Sequence, residues 1–149
     1  MNYQIRPAIS ADIAAIITLC KEHAAYEQAI YDETGKADAL STYLFGEQPR
    51  LFCLVVEIDG QLMGYATYMP EFSTWDAAFY LHMDCLYLKE TTRGNGIGEQ
   101  LMKNLQQEAN RLGCTHIQWQ TPEFNERAIK FYTRIGAKAK SKVRFYLDL

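Results

Sequence analysis

The sequence predicts one mixed α/β domain. Three observations carry that reading. Strand-like and helix-like stretches alternate along the whole chain, an Asp59-Gly60 pair joins two apolar runs as a hairpin turn, and a glycine cluster links a strand to an amphipathic helix. No repeat, low-complexity run or Pro/Gly/Ser linker divides the chain, so residues 1–149 read as a single domain.

Each element has its own signal. Tyr3 to Arg6 alternates briefly and stops at Pro7, as a short first strand does. Ser10 is placed to cap a helix beginning near Ala11, and Ile13, Ile16, Ile17, Cys20 and Ala24 recur on one face of it. Residues 31–50 are polar, with a short second helix expected around Ala39, Leu40, Tyr43 and Leu44. Leu51 to Ile58 is a dense strand, and Gln61 to Met69 returns after the hairpin turn. A loop holding Pro70 and Trp75 leads to a strand from Phe79 to Leu88. The helix from Ile97 to Leu112 carries the stripe Ile97, Leu101, Met102, Leu105 and Ala109, and Gly113 ends it. A strand from Thr115 to Gln120, a helix from Asn125 to Ile135 ended by Gly136, and a final strand from Val143 to Leu147 complete the order.

Composition narrows the function. A hydrophobic share of 48% over 149 residues supports a real core and excludes wholesale disorder. Such a chain buries ~68–70% of its unfolded surface. Fifteen basic and 18 acidic residues leave a net charge of −3, with a pI near 5.6. That balance argues against general nucleic-acid binding, which needs a basic face to displace counterions. The longest strongly apolar run, Leu51 to Val56, is far short of the ~20 residues that span a bilayer. The start, MNYQIRPAIS, lacks a basic segment followed by an apolar stretch, so no secretory signal and a cytoplasmic location are expected. Cys20, Cys53, Cys85 and Cys114 form no C-x-x-C pair and read as reduced thiols, three of them in apolar patterns. The histidines show no metal-ligand spacing with them, so no metal is expected.

The central feature is Arg93-Gly94-Asn95-Gly96-Ile97-Gly98, between a strand and a helix. Glycines let the backbone approach a ligand, and a helix N-terminus adds free amide donors and a positive dipole end. Together they suit a pyrophosphate. The spacing also admits a connection that merely turns the chain. It matches neither the G-x-x-x-x-G-K-[ST] phosphate loop nor the G-x-G-x-x-G dinucleotide fingerprint.

Arg93, Gly96 and Gly98 fit the pattern [RQ]-x-x-G-x-[GA], and Asn125 precedes Phe131-Tyr132 and Gly136-Ala137 at the matching distance. With Ile5-Arg6-Pro7-Ala8 and Lys21-Glu22-His23-Ala24-Ala25-Tyr26-Glu27, these stretches make the chain resemble the GCN5-related N-acetyltransferase (GNAT) superfamily over almost its full length. The resemblance is nearest to the diamine (spermidine/spermine) acetyltransferase branch. It implies a mixed, mostly antiparallel central sheet flanked by helices, and direct acetyl transfer from acetyl-CoA to a primary amine. The implied acceptor is a small cationic molecule, a polyamine, diamine or lysine-like amine. The same scaffold also serves aminoglycoside and protein N-terminal acetylation, and a non-catalytic acyl-CoA sensor is the reading from another class. Homodimers, sometimes with an exchanged C-terminal strand, are common in the branch.

The resemblance also implies residues. Backbone groups of Leu86, Tyr87 and Leu88 would pair with the pantetheine arm. The amides of Gly94, Asn95, Gly96, Ile97, Gly98 and Glu99 would hold the pyrophosphate, Arg93 would add charge, and Asn125 would touch the cofactor from the next helix. Acetyl transfer needs a neutral amine, donors for the oxyanion, and a proton for the leaving thiolate. Tyr132 stands at the family's proton-donor position, and a phenol with an ordinary pKa near 10 keeps its proton at neutral pH. Asp84 falls where the branch carries a glutamate, one methylene longer, and would handle the amine. His82, two residues earlier, is the alternative base. Tyr26 and Glu27 match the branch's amine-binding pair, whose aromatic face and carboxylate suit a cation. Trp75 reads equally as a surface aromatic and stays outside the site.

Overall fold

Five strands form one sheet in sequence order: β1 (Gln4–Pro7), β2 (Phe52–Ile58), β3 (Gln61–Ser73), β4 (Ala78–Leu88) and β5 (Ile117–Gln118). The computed structural model describes residues 1–149. β1 through β4 pair antiparallel, and β5 joins β4 in parallel. Four helices accompany the sheet: α1 (Ile13–Tyr26), α2 (Lys36–Phe45), α3 (Ile97–Arg111) and α4 (Glu126–Arg134). This is the expected mixed, mostly antiparallel architecture. No helix is long and apolar enough to cross a membrane.

Strand alternation sends side chains to two cores. On one face Leu54, Val56, Ala66, Tyr68, Leu81 and Met83 meet the α3 stripe of Ile97, Leu101, Met102, Leu105 and Ala109, with Phe131 and Tyr132 of α4 packed against them. On the other, Cys53, Val55, Tyr65 and Tyr87 meet Ile16 and Leu19 of α1. The β2–β3 turn has the backbone its sequence announces: Asp59 (φ 50°) and Gly60 (φ 76°) are both left-handed.

Four local expectations are corrected. Ser10 does not cap α1; it opens a one-turn 3-10 segment, and the side chain that accepts from the free Ile9 N–H is Asp12, at 2.8 Å. Pro70 lies within β3, not a loop. It faces Leu81, whose N–H turns to His116 O on the β5 side, and β2 has already ended opposite Tyr68, so no bond asks for a donor at Pro70. β5 keeps only Ile117 and Gln118 of the expected 115–120 span. Residues 137–149 contain no strand, although Val143 to Leu147 has the composition of one. Composition does not supply an edge, and β5, the last strand in the sheet, is two residues long.

Candidate active site

β4 and β5 touch only at Leu81–Ile117 and His82–Gln118 and then part. β4 runs on to Leu88, while the other chain segment leaves through Thr121-Pro122 toward α4. A cleft of about 1150 Å³ opens between them. Within it β4 is bulged: Thr67 pairs with Cys85 and Tyr68 with Met83, so Asp84 has no residue opposite it. Beyond the bulge, Lys89 N–H donates to Met63 O at 2.9 Å. By strand alternation Leu86 and Leu88 therefore turn their backbone groups away from β3, into the gap. The Leu88 carbonyl already accepts from Arg93 Nε at 2.9 Å. Leu86 is left with groups free for a ligand.

The glycine loop sits at the end of this strand, and its three glycines differ in role. Gly94 (φ 81°) and Gly96 (φ 76°) need left-handed backbone, and a Cβ at either would meet nothing within 4 Å. Gly98 needs space: its Cβ would lie 3.2 Å from Phe131 Cζ and 3.5 Å from Leu88 Cδ1. Ile97 is anchored in the core. The helical ladder of α3 starts with Gln100 N–H on Gly96 O at 3.0 Å, so the amides of Ile97, Gly98 and Glu99 precede it and have no helical acceptor. Asn95 turns its side chain inward, donating to Thr92 O at 3.2 Å and Arg93 O at 3.3 Å. The Arg93 guanidinium lies over the Tyr26 ring at 4.5 Å and the Tyr87 ring at 5.6 Å. Arg93 thus braces the strand end and the α1 terminus as well as carrying charge.

Beside Arg93, the end of α1 supplies Tyr26 and Glu27. Tyr26 Oη donates to Asn125 Oδ1 at 3.1 Å, linking α1 to α4 across the cleft. Asn125 is the N-cap of α4, accepting from Ala128 N–H at 3.3 Å. Asp84 is half exposed into the cleft, its Oδ1 3.8 Å from His82 Nε2. Tyr132, on α4, packs edge-on against Trp119 at 5.0 Å. Burial, with Glu27 adding to it, pushes the Tyr132 phenol up to about 12. The structure therefore brings Tyr26, Glu27, His82, Asp84, Leu86, Tyr87, Leu88, Arg93, Gly94, Gly96, Gly98, Glu99, Asn125 and Tyr132 to one cleft, while the side chains of Asn95, turned inward, and Ile97, buried in the core, stay out of its lining. Trp75 is 98% exposed at the β3–β4 turn, far from burial of any kind.

Two features went unread in the sequence. His23 lines the cleft one helical turn before Glu27, its ring stacked on Tyr87 at 5.2 Å. His23 stands in the stretch Lys21 to Glu27 that carries the resemblance, four residues before Glu27, but nothing in that stretch gives it a role. On the far wall, Arg127, Lys130 and Arg134 of α4 join Lys142 and Arg144 of the C-terminal segment. In sequence they lie in an expected helix, Asn125 to Ile135, and in or beside an expected final strand, Val143 to Leu147, with no pattern that joins them.

Residues 14–137 match the Acetyltransferase (GNAT) family, and the chain belongs to it. It is similar to the thialysine N-epsilon-acetyltransferase of Bos taurus, 32% identical over 142 residues that cover 90% of this chain and 83% of that protein. It is also similar to the spermidine/spermine N(1)-acetyltransferase-like protein 1 of Homo sapiens, 30% identical over 91% of this chain and 20% of that much longer protein. Among solved structures, an aminoglycoside N-acetyltransferase in complex with CoA shares the fold, with a TM-score of 0.78 at 16% identity, covering 99% of this chain and 95% of that one. The chain is an acetyl-CoA-dependent N-acetyltransferase of the GNAT family.

Proposed function

We propose that this enzyme moves acetyl directly from acetyl-CoA to a primary amine of a small cationic acceptor, a diamine, polyamine or lysine-like molecule. One observation supports the acceptor class above the others: the cleft side formed by the end of α1 and by β4 presents two carboxylates, Glu27 and Asp84, beside the aromatic rings of Tyr26 and Tyr87. Carboxylates and ring faces attract an ammonium group. The names of the two relatives, one for a lysine analogue and one for polyamines, agree with this.

The cofactor side fits as well. The open space over Gly94 and Gly96 and the unpartnered amides at the start of α3 suit a pyrophosphate. When bound, acetyl-CoA supplies the activated acyl group. Leu86 offers backbone groups along the strand, with Tyr87 and Leu88 shaping the same wall. Asn125 sets the start of α4. Tyr132 keeps its proton throughout the neutral range and is the acid for the leaving thiolate. Asp84 holds the incoming ammonium or passes its proton to water, with His82 beside it as the other base. We further read residues 1–149 as one N-acetyltransferase domain that works as a cytoplasmic homodimer.

Thiol release across spermidine, spermine, short diamines, lysine analogues and aminoglycosides tests the acceptor class. Turnover is expected on the linear cationic amines. Preference for an aminoglycoside would overturn the acceptor, and saturable CoA binding with no turnover on any amine would favour a sensor. Tyr132→Phe should lower kcat at least about tenfold with little change in acetyl-CoA affinity; unchanged turnover removes Tyr132 from the chemistry. In pH–rate profiles, the substitution among Asp84→Asn and His82→Gln that abolishes the acidic limb identifies the base.

A further inference from the structure

We propose that His23 is a positioning residue for the amine-binding carboxylate Glu27, held in one tautomer by Tyr65. The inference rests on the reading of Glu27 as an amine ligand. His23 lies on α1 one turn before Glu27, with its side chain only 13% exposed. Three contacts fix the ring. Its Nδ1 is 2.8 Å from Tyr65 Oη, its Nε2 is 3.5 Å from Glu27 Oε2, and its face stacks on Tyr87 at 5.2 Å with planes 19° apart.

The directions of these contacts follow from what each group can do. A carboxylate only accepts, so the nitrogen facing Glu27 carries the hydrogen. A neutral imidazole then has a bare Nδ1, which accepts from the Tyr65 hydroxyl. Burial lowers the His23 pKa, against the opposing pull of Glu27 on its own helix and Asp84 on β4, and Arg93 lowers it further. Burial also holds the Tyr65 phenol protonated. The chain of donors therefore runs one way, from Tyr65 through His23 to Glu27. It has a consequence for the acceptor. A neutral imidazole steadies Glu27 without cancelling its charge, so Glu27 and Asp84 both remain available to an ammonium group. A lysine or an imidazolium at the same place would compete with the substrate.

Steady-state kinetics with spermidine, together with the nitrogen chemical shifts of the His23 ring, test this. His23→Phe keeps the stack on Tyr87 and removes both polar contacts. It should raise the spermidine KM about tenfold, the scale of a lost hydrogen bond to a charged group, while kcat and the acetyl-CoA KM hold within about twofold. His23→Gln returns an N–H near the Nε2 position and should recover most of the loss. Tyr65→Phe frees the tautomer and should raise KM in the same direction by a smaller factor, which covers the case of a His23→Phe variant that fails to fold. Glu27→Gln should raise KM at least as much, and His23→Phe on that background should add nothing. The ring should show a protonated Nε2 and a bare Nδ1 at neutral pH. If Glu27→Gln raises KM and His23→Phe does not, the positioning role is wrong and the amine reading stands. If Glu27→Gln leaves KM unmoved, the amine reading fails and this inference fails with it. A protonated Nδ1 overturns the chain of donors by itself.

Discussion

Asp12 holds more of the fold than its place in a three-residue turn suggests. Arg6 grips it with two bonds, Nη1 to Oδ2 at 2.8 Å and Nη2 to Oδ1 at 3.1 Å, and reaches Glu57 on β2 with Nη2 at 2.6 Å. The same carboxylate accepts the Ile9 N–H. Asp12 thus ties β1 to the start of α1, and through Arg6 the link extends to Glu57 on β2. The Arg6 guanidinium beside Asp12 holds its carboxyl below the usual range. A depressed folded-state pKa gives stability that is present above the unfolded value and lost as pH falls through the folded one. Asp12→Asn should therefore cost ~2 kcal/mol in urea unfolding at pH 7, with the gap from wild type closing in acid. An equal gap at both pH values would mean the carboxylate's charge is not what counts. Sequence pointed to Ser10 instead, because serine is a strong cap and the short 3-10 turn that shifts the helix start by two residues has no signature. Tyr132 and Glu27 could be placed in the cleft because motifs carried them; His23 stands in the same stretch as Glu27, but a motif match gives no role to a side chain whose contacts, Tyr65 and Tyr87, come from other elements.

At the scale of elements, the strand–loop–helix unit was readable in outline and its division of labour was not. Three glycines at 94, 96 and 98 look alike in sequence, yet two answer to backbone angle and one to packing. The bulge in β4 was invisible for a related reason. His82 to Leu86 reads as unbroken strand, and the extra residue appears only when β3 is laid beside it. Its placement at Asp84 puts the carboxylate where the ladder is interrupted, at the mouth of the gap left by β5. Gly96→Ala forces a Cβ onto left-handed backbone in open space and should cost ~1 kcal/mol in unfolding, with a higher acetyl-CoA KM. Gly98→Ala meets the end of the Phe131 ring, next to Tyr132, and should act through α4, lowering kcat more than it alters acetyl-CoA KM. If the two variants give the same split between kcat and KM, the three glycines do not have separate roles.

Over the whole molecule, a net charge of −3 is distributed unevenly. Glu27 and Asp84 stand at the α1 and β4 side of the cleft with Arg93 among them, while Arg127, Lys130, Arg134, Lys142 and Arg144 line the α4 side, interspersed with Glu123 and Glu126. Under the proposed reading, a cationic acceptor finds Glu27 and Asp84 on one side of the cleft, and an anionic cofactor finds the free amides at the start of α3. The tail also carries Val143, Phe145, Tyr146 and Leu147, which are 78%, 88%, 82% and 87% exposed. Four large apolar side chains within five residues are costly to leave in water, at ~25 cal/mol for each Å² kept wet, and a period-two pattern without an edge to pair with is a strand in search of one. A second copy offers that edge under the homodimer reading. Phe145→Ser with Leu147→Ser should then reduce the mass seen by light scattering from two chains to one. The melting temperature should fall only by the concentration-dependent part that dimer formation contributes, since neither side chain is buried within its own chain. Wild-type protein running as one chain at all concentrations would remove the homodimer reading and leave the exposed tail to be explained by something else that binds beside Lys142 and Arg144.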